Sequence, residues 1–265
     1  MNIDSFRTES DLTYSFYPGE EPILVFIHGV MDRGRSFLRV KSRLKSRAIL
    51  IYDRRGYGSS RNLNQPFNST VEDSIFDLSQ LISNYKVILI GHSYGAVISL
   101  GACLKLDNII GAVIYEAPLS WLPWWATMNS PSSKIFTDQS PKEAVDNFMN
   151  NVLGPDRWKR VKPTLKEDLY QQGDVLIAEL ANLRTSQPFN INEITQPIIL
   201  SFGSESTDRQ KKGMRYLSEN ILNSQVVEIL GAKHNAHMTH YKDFANMIES
   251  AISFILTNQP DNTLS

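Results

Sequence analysis

Val87-Ile88-Leu89-Ile90-Gly91-His92-Ser93-Tyr94-Gly95-Ala96-Val97-Ile98-Ser99-Leu100 carries an unbroken apolar run into a stretch of small and apolar residues through a G-x-S-x-G turn. Four consecutive β-branched or leucine residues read as a strand buried on both faces, and the segment after the turn reads as a helix packed close to the sheet. A serine at the centre of such a turn is held in a strained conformation, while the flanking glycines let strand and helix approach each other. Ser93 is thereby expected above the end of a sheet, at the start of a helix whose free N–H groups and dipole favour negative charge. Acyl transfer needs that geometry. A tight turn with a capping serine is the plainer alternative, and the strand before and helix after are what favour the first reading.

The same texture recurs on both sides of the turn. Ile23–Ile27, Ile49–Tyr52, Ala112–Tyr115, Ile198–Phe202 and Val226–Leu230 are short and mostly continuous apolar runs, as central parallel strands buried on both faces should be. Leu12, Tyr14 and Phe16 instead alternate with polar residues up to Pro18-Gly19, the pattern of an antiparallel edge strand with one buried face. Val71, Ile75, Leu78 and Ile82 follow a helical period behind a candidate N-cap at Thr70 with Asp73 three residues on, and Phe244, Ile248, Ala251 and Ile255 repeat that spacing. Strands alternating with helices of this length predict the α/β class, with a doubly wound, mostly parallel sheet and right-handed crossovers.

One stretch breaks this rhythm. Residues 119–190 open with Trp121-Leu122-Pro123-Trp124-Trp125, hold helical patterns around 142–152 and 165–183, and contain no clear buried strand. They read as an inserted helical cap on a core made of residues 1–118 and 191–265. Trp121, Trp124 and Trp125 either pack cap against core or wall a substrate pocket, since aromatic residues serve both ends.

A chain of 265 residues with 42% hydrophobic and 21% charged residues has the composition of a globular protein able to bury a sizeable core. Its formal net charge of −1 offers no attraction for nucleic acid or a membrane surface, so a small molecule is the expected partner. Cys103, the single cysteine, is expected to be buried and apolar in role. The start Met1-Asn2-Ile3-Asp4-Ser5-Phe6-Arg7 lacks the basic and apolar regions of a signal peptide, and no run is long enough to span a bilayer. A soluble, cytoplasmic protein is the expectation. The polar tail Asn258–Ser265 reads as frayed.

A serine nucleophile needs a base, usually a histidine held by a carboxylate. His234 stands out among the five histidines because Gly231-Ala232-Lys233-His234 leaves the last apolar strand and precedes the last helix. His237 and His240 complete an H-x-x-H-x-x-H spacing. On a helix the third is rotated away from the first two, and no cysteine or acidic ligand stands nearby in sequence, so no metal set is assigned. His28-Gly29-Val30 ends the strand Ile23–Ile27, and the tight turn at Gly29 would present the Val30 N–H beside that of Tyr94 to an oxyanion. His28 reads as a structural residue bonding the loop, and Asp53 and Arg54 as braces for neighbouring loops.

Taken in order, His28-Gly29, Asp53-Arg54-Arg55-Gly56-Tyr57-Gly58-Ser59-Ser60, Gly91-His92-Ser93-Tyr94-Gly95-Ala96 and Gly231-Ala232-Lys233-His234 resemble the α/β-hydrolase fold superfamily over nearly the whole chain outside the cap. The resemblance implies a triad in the order serine, acid, histidine, with Ser93 as nucleophile, His234 as base, and the Val30 and Tyr94 N–H groups as oxyanion hole. The acid departs from the commonest pattern. Family members often place an aspartate where Gly203-Ser204-Glu205-Ser206 puts Ser206, with Glu205 and Asp208 flanking that slot; others place the acid after the preceding strand, where Tyr115-Glu116-Ala117-Pro118 stands. Glu116 is favoured and Glu205 is the alternative, while pairing of Glu116 with Arg54 or a backbone donor is the non-catalytic reading.

The resulting expectation is a cofactor-free serine hydrolase that cleaves a small-molecule ester or related acyl bond through an acyl-enzyme. Thioester, lactone, amide or carbon–carbon hydrolysis and cofactor-free perhydrolysis would use the same residues. A non-catalytic small-molecule receptor on the same fold is the rival from another class, and turnover of a nitrophenyl ester separates the two.

Overall fold

The computed structural model describes residues 5–7, 12–61, 70–82, 85–127, 139–185 and 187–260. Among them, strands β1 (Ser5–Arg7), β2 (Thr13–Tyr17), β3 (Glu20–Ile27), β4 (Arg47–Tyr52), β5 (Val87–His92), β6 (Ile109–Tyr115), β7 (Ile198–Gly203) and β8 (Ser224–Ile229) form one sheet in the order β1-β2-β4-β3-β5-β6-β7-β8. From β4 to β8 every neighbouring pair is parallel. Only β1 and β2 pair antiparallel, β1 on β2 and β2 on β4.

Alternation along the central strands explains why both faces need cover. Val25, Ile27, Leu89, Ile114 and Leu200 point into a core completed by α2 (Val71–Ile82), α3 (Tyr94–Cys103) and α9 (Asp208–Asn220). Their neighbours Leu24, Phe26, Ile88, Ile90, Val113 and Ile199 point the other way, onto α1 (Leu38–Lys41) and α11 (Tyr241–Thr257). Parallel strands need such crossovers, and the crossovers supply the helices. Thr70 caps α2 as expected, its Oγ1 accepting from Asp73 N–H at 3.1 Å while Asp73 Oδ2 accepts from Thr70 N–H at 3.0 Å. Phe244, Ile248, Ala251 and Ile255 are all buried on α11. Cys103 is buried at the end of α3, and burial pushes its thiol up to about 12.

Two readings of the sequence are corrected at the sheet's margins. The alternating segment forms β2, yet β1 pairs outside it, so β1 is the edge and Phe16 stays 39% exposed. An open strand edge is a row of unpaired donors and acceptors that any extended neighbour can satisfy. At the other margin Val226–Leu230 is not buried on both faces: β8 is the last strand, with Val226 38% and Leu230 85% exposed. Its composition reports a preference for extended backbone, whereas its burial is set by its place in the order.

Between β6 and β7 the chain runs through α4 (Pro123–Thr127), α5 (Pro141–Leu153), α6 (Pro155–Lys159), α7 (Pro163–Tyr170) and α8 (Gly173–Thr185). Ala144, Val145, Met149, Trp158, Leu169 and Leu176 form an apolar cluster here, against which Val30 and Met31 of the loop after β3 pack. Ser140 caps α5 with Glu143 in a reciprocal capping box. Among the described residues no helix is long and apolar enough to cross a membrane. Of the tail, residues 261–265 lie outside the described residues.

Candidate active site

Ser93 sits between β5 and α3 with φ 55° and ψ −121°, a conformation that costs a non-glycine residue on the order of 1–3 kcal/mol and persists only where its surroundings enforce it. The glycines show how. A Cβ on Gly95 would stand 2.1 Å from the Ile27 carbonyl oxygen, and one on Gly91 would stand 2.6 Å from Ala96 Cα, so neither position admits a side chain. Ser93 N–H donates to the Tyr115 carbonyl at 2.9 Å, and the Ser93 carbonyl accepts from Ala96 N–H at 2.9 Å, opening α3.

The register of the sheet brings Glu116 to the same sheet end as Ser93. His92 on β5 faces Tyr115 on β6, so Ser93 and Glu116 are each one residue past a matched pair at the carboxyl ends of adjacent strands. Glu116, like Ser93, has positive φ (50°), and it is 1% exposed. Its Oε2 accepts from His234 Nδ1 at 2.7 Å. Its Oε1 accepts from Gly203 N–H at 3.0 Å and from Ser206 Oγ. A buried carboxylate is tolerable only when its lone pairs are filled, and three donors fill these. Gln210 Nε2 also lies 2.8 Å from His234 Nδ1, its Oε1 being engaged by Thr207 at the cap of α9. An amide nitrogen donates and does not accept, so the Nδ1 proton has one direction to take, toward the Glu116 carboxylate.

The loop carrying His234 is anchored from below. His92 Nε2 donates to the His234 carbonyl at 2.9 Å, and Tyr115 Oη donates to the Lys233 carbonyl at 2.9 Å. Burial, with the neighbouring His237 and His234, pushes the His92 imidazole well below its ordinary range, which leaves it a neutral ring with its proton on Nε2. The His234 side chain is 30% exposed, so one side of it meets solvent.

Gly29 brings the third strand end into the site. A Cβ there would stand 2.9 Å from Ser93 Cβ, so only glycine lets this loop run against the serine and carry Val30 beside it. Among the backbone hydrogen bonds of the described loops and turns, neither Val30 N–H nor Tyr94 N–H is a donor, and the first N–H groups of a helix have no acceptor within it. His28 braces the loop: Nδ1 donates to the Gly29 carbonyl at 2.8 Å and Nε2 accepts from Arg54 N–H at 2.9 Å. Burial, with the Arg54 charge beside it, pushes His28 down to about 4. Arg54 itself donates from Nε to the His28 carbonyl at 2.9 Å and pairs with Glu179 of α8, both fully buried, while Tyr57 Oη donates to Glu179 at 2.7 Å. Asp53 accepts from Gly34 N–H and Ser59 N–H, each at 2.8 Å. Arg54 therefore meets Glu179 and not Glu116.

The remaining sequence candidates have other contacts. Glu205 is on the surface, 3.8 Å from Lys233 Nζ, and Asp208 is exposed at the start of α9; neither bonds His234. The slot where relatives carry an aspartate is filled by Ser206, which donates to Glu116 instead. His237 is buried beside Asp32, and His240 Nδ1 meets Thr239 Oγ1 at 3.0 Å, so the H-x-x-H-x-x-H spacing does not converge. Trp121 packs edge-on against Phe189, Trp124 against Tyr216 with Lys212 over its ring, and Trp125 against Gly213 under the Arg209 guanidinium. All three belong to the apolar cluster between this segment and the sheet. A groove of about 550 Å³ lies between β8 and α11, away from Ser93, with Glu228, Asp243 and Met247 in its wall. His92, Tyr115, Ser206 and Gln210 escaped the sequence reading. His92, Tyr115 and Ser206 stood in stretches quoted from the sequence and Gln210 in none, yet their roles lie in contacts between distant segments that local pattern does not record.

The profile described as the Alpha/beta hydrolase family matches residues 24–247. The chain is 26% identical over 217 residues to a proline iminopeptidase of Heyndrickxia coagulans, covering 70% of this chain and 74% of that protein. It is 24% identical over 249 residues to a monoglyceride lipase homolog of Monkeypox virus, covering 88% and 90%. Among solved structures, a putative lipase from Acinetobacter baumannii superposes with a TM-score of 0.77 at 17% identity, covering 97% of this chain and 93% of that one.

Proposed function

The chain belongs to the alpha/beta hydrolase family, and from that premise we propose that it is a serine hydrolase of small-molecule carboxylic esters, with Ser93 as nucleophile, His234 as general base and Glu116 as the acid that orients it. The contact that carries the reading is Glu116 Oε2 to His234 Nδ1 at 2.7 Å, made by a carboxylate one residue beyond the strand pair that delivers the strained Ser93. With Nδ1–H given to Glu116, Nε2 keeps its lone pair for the serine proton.

In acylation Ser93 Oγ attacks the ester carbonyl and His234 Nε2 takes its proton. The Val30 and Tyr94 N–H groups stabilise the oxyanion, and the protonated imidazole returns the proton to the leaving alkoxide. Water activated by the same histidine then releases the acid. In this reading the helices of residues 139–185 form a cap, fastened to the core by the Arg54–Glu179 pair. Relatives named as a lipase homolog and as a proline iminopeptidase support hydrolysis of an acyl bond and leave its leaving group to experiment.

A fluorophosphonate probe tests the nucleophile and a nitrophenyl ester series graded by acyl length tests the substrate. Covalent labelling at Ser93, lost in Ser93→Ala together with turnover, is expected. Labelling that survives in Ser93→Ala, or a wild-type chain that turns over no ester in the series, would overturn the reading.

A further inference from the structure

The polar side chains that this reaction does not use gather behind the base. Asp32, His92 and His237 each offer one ligand atom, and these atoms lie within 4.8 Å of one another. His92 is 4% exposed and His237 is fully buried. Because His92 spends its Nε2 proton on the His234 carbonyl, its Nδ1 holds a lone pair, and that atom is buried without a hydrogen-bond partner. Both ring nitrogens of His237 are likewise buried without one. Its Nε2 lies 3.4 Å from Asp32 Oδ2, an ion-pair distance longer than an ordinary hydrogen bond. The two imidazoles lie 4.3 Å apart between centroids, their planes tilted by 48°.

Each orphaned buried polar atom costs roughly 1–3 kcal/mol, and two such atoms, His92 Nδ1 and His237 Nε2, gathered with the Asp32 carboxylate point to a common partner. A carboxylate oxygen and two imidazole lone pairs are all acceptors of positive charge. A water can donate to only two of them, whereas a cation meets all three. The 3.4 Å separation of Asp32 and His237 is close to the edge of a tetrahedron around zinc, about 3.3 Å for bonds of 2.0–2.1 Å. Two of the three side chains have outer-shell partners: the remaining His92 nitrogen donates to a backbone carbonyl, and Asp32 Oδ2 accepts from Ser36 Oγ at 2.9 Å. Two imidazoles and a carboxylate without thiolate suit a late first-row divalent ion better than calcium or magnesium.

We propose that Asp32, His92 Nδ1 and His237 Nε2 form a binding site for one divalent transition-metal ion, with zinc as the natural occupant, separate from the Ser93 centre. Asp32 follows Val30 by two residues and His237 follows His234 by three. A bound ion therefore ties the oxyanion loop to the base loop, and the site stands whatever the reaction.

Full-length protein stripped with a chelator is titrated with Zn²⁺ in a calorimeter, and with Co²⁺ by visible absorbance, for wild type, Asp32→Asn, His237→Gln, His240→Gln and His234→Ala. One ion per chain, the bands of a four-coordinate Co²⁺ and a Zn²⁺-dependent rise in Tm are expected for wild type, His240→Gln and His234→Ala. Affinity should fall more than about 100-fold in Asp32→Asn and His237→Gln, since removing a ligand exceeds the effect of outer-shell changes. Absence of stoichiometric binding to wild type overturns the proposal. So does binding that persists in Asp32→Asn or disappears in His234→Ala or His240→Gln. Should the buried His237→Gln fail to fold, the partly exposed Asp32 carries the test alone.

Discussion

Replacing Glu116 by glutamine reverses one proton without removing a contact surface. Glutamine keeps an oxygen for Gly203 N–H and Ser206 Oγ, and turns an NH₂ group toward His234 Nδ1 at the 2.7 Å now closed by Oε2. Gln210 already presents an amide nitrogen to the same atom at 2.8 Å. Nδ1 would then face two donors and must accept, which moves the ring proton to Nε2 and removes the lone pair that takes the serine proton. Loss of the correct tautomer costs roughly three to four powers of ten in kcat, or about 4–5.5 kcal/mol at 1.36 kcal/mol per decade. Stability should change far less, by roughly 1.5–3 kcal/mol for one charge-assisted hydrogen bond. Steady-state turnover of a nitrophenyl ester, alongside a thermal melt, measures both. Glu205→Gln, at an exposed pair with Lys233, should stay within about twofold of wild type. A folded Glu116→Gln protein that loses less than tenfold in kcat would refute the assignment of the acid.

The remaining expectations concern stability and the loop beneath the base. Glu179→Gln leaves the Arg54 charge buried without its partner and should cost about 3–5 kcal/mol in urea unfolding, while Arg54→Met with Glu179→Leu together should cost less than that single change; a double variant worse than the single would contradict this. His28 is neutral when folded, with its pKa pushed from 6.5 to about 4, so the unfolded chain binds the proton first. Its contribution is complete above pH 6.5, falls as the pH drops and is lost by pH 4, on the order of 3 kcal/mol. Urea titrations between pH 7 and 4.5 should show a shallower loss for His28→Gln than for wild type, and parallel slopes would count against a neutral His28. Tyr115→Phe removes the hydrogen bond to the Lys233 carbonyl and should lower stability by about 0.5–1.5 kcal/mol while lowering kcat more than it changes KM. A pure KM effect would detach Tyr115 from the base loop.

Much of this architecture is legible in the chain alone. Apolar runs of four to five residues alternating with helical periods already specify a parallel sheet wrapped on both faces, because burial on two sides and a crossover connection leave few other solutions. Gly91 and Gly95 around Ser93 specify a strand, a turn and a helix in close contact, and the structure shows the carbonyl oxygen and Cα that exclude any side chain there. His234 is readable from its place after the last apolar strand. Local pattern could not decide where a strand lies in the sheet, so β8 proved an exposed edge and β1 displaced β2 from the other edge. Nor could it choose the partner of His234: Glu116 and Glu205 are both carboxylates near strand ends, and only the register of β5 with β6, with Gly203 and Ser206 turned toward Glu116, separates the buried one from the exposed one. The convergence of Asp32, His92 and His237 was hidden for the same reason. Periodicity records which face of a segment is buried, whereas contacts between segments far apart in sequence exist only once strand order and loop paths have brought them together.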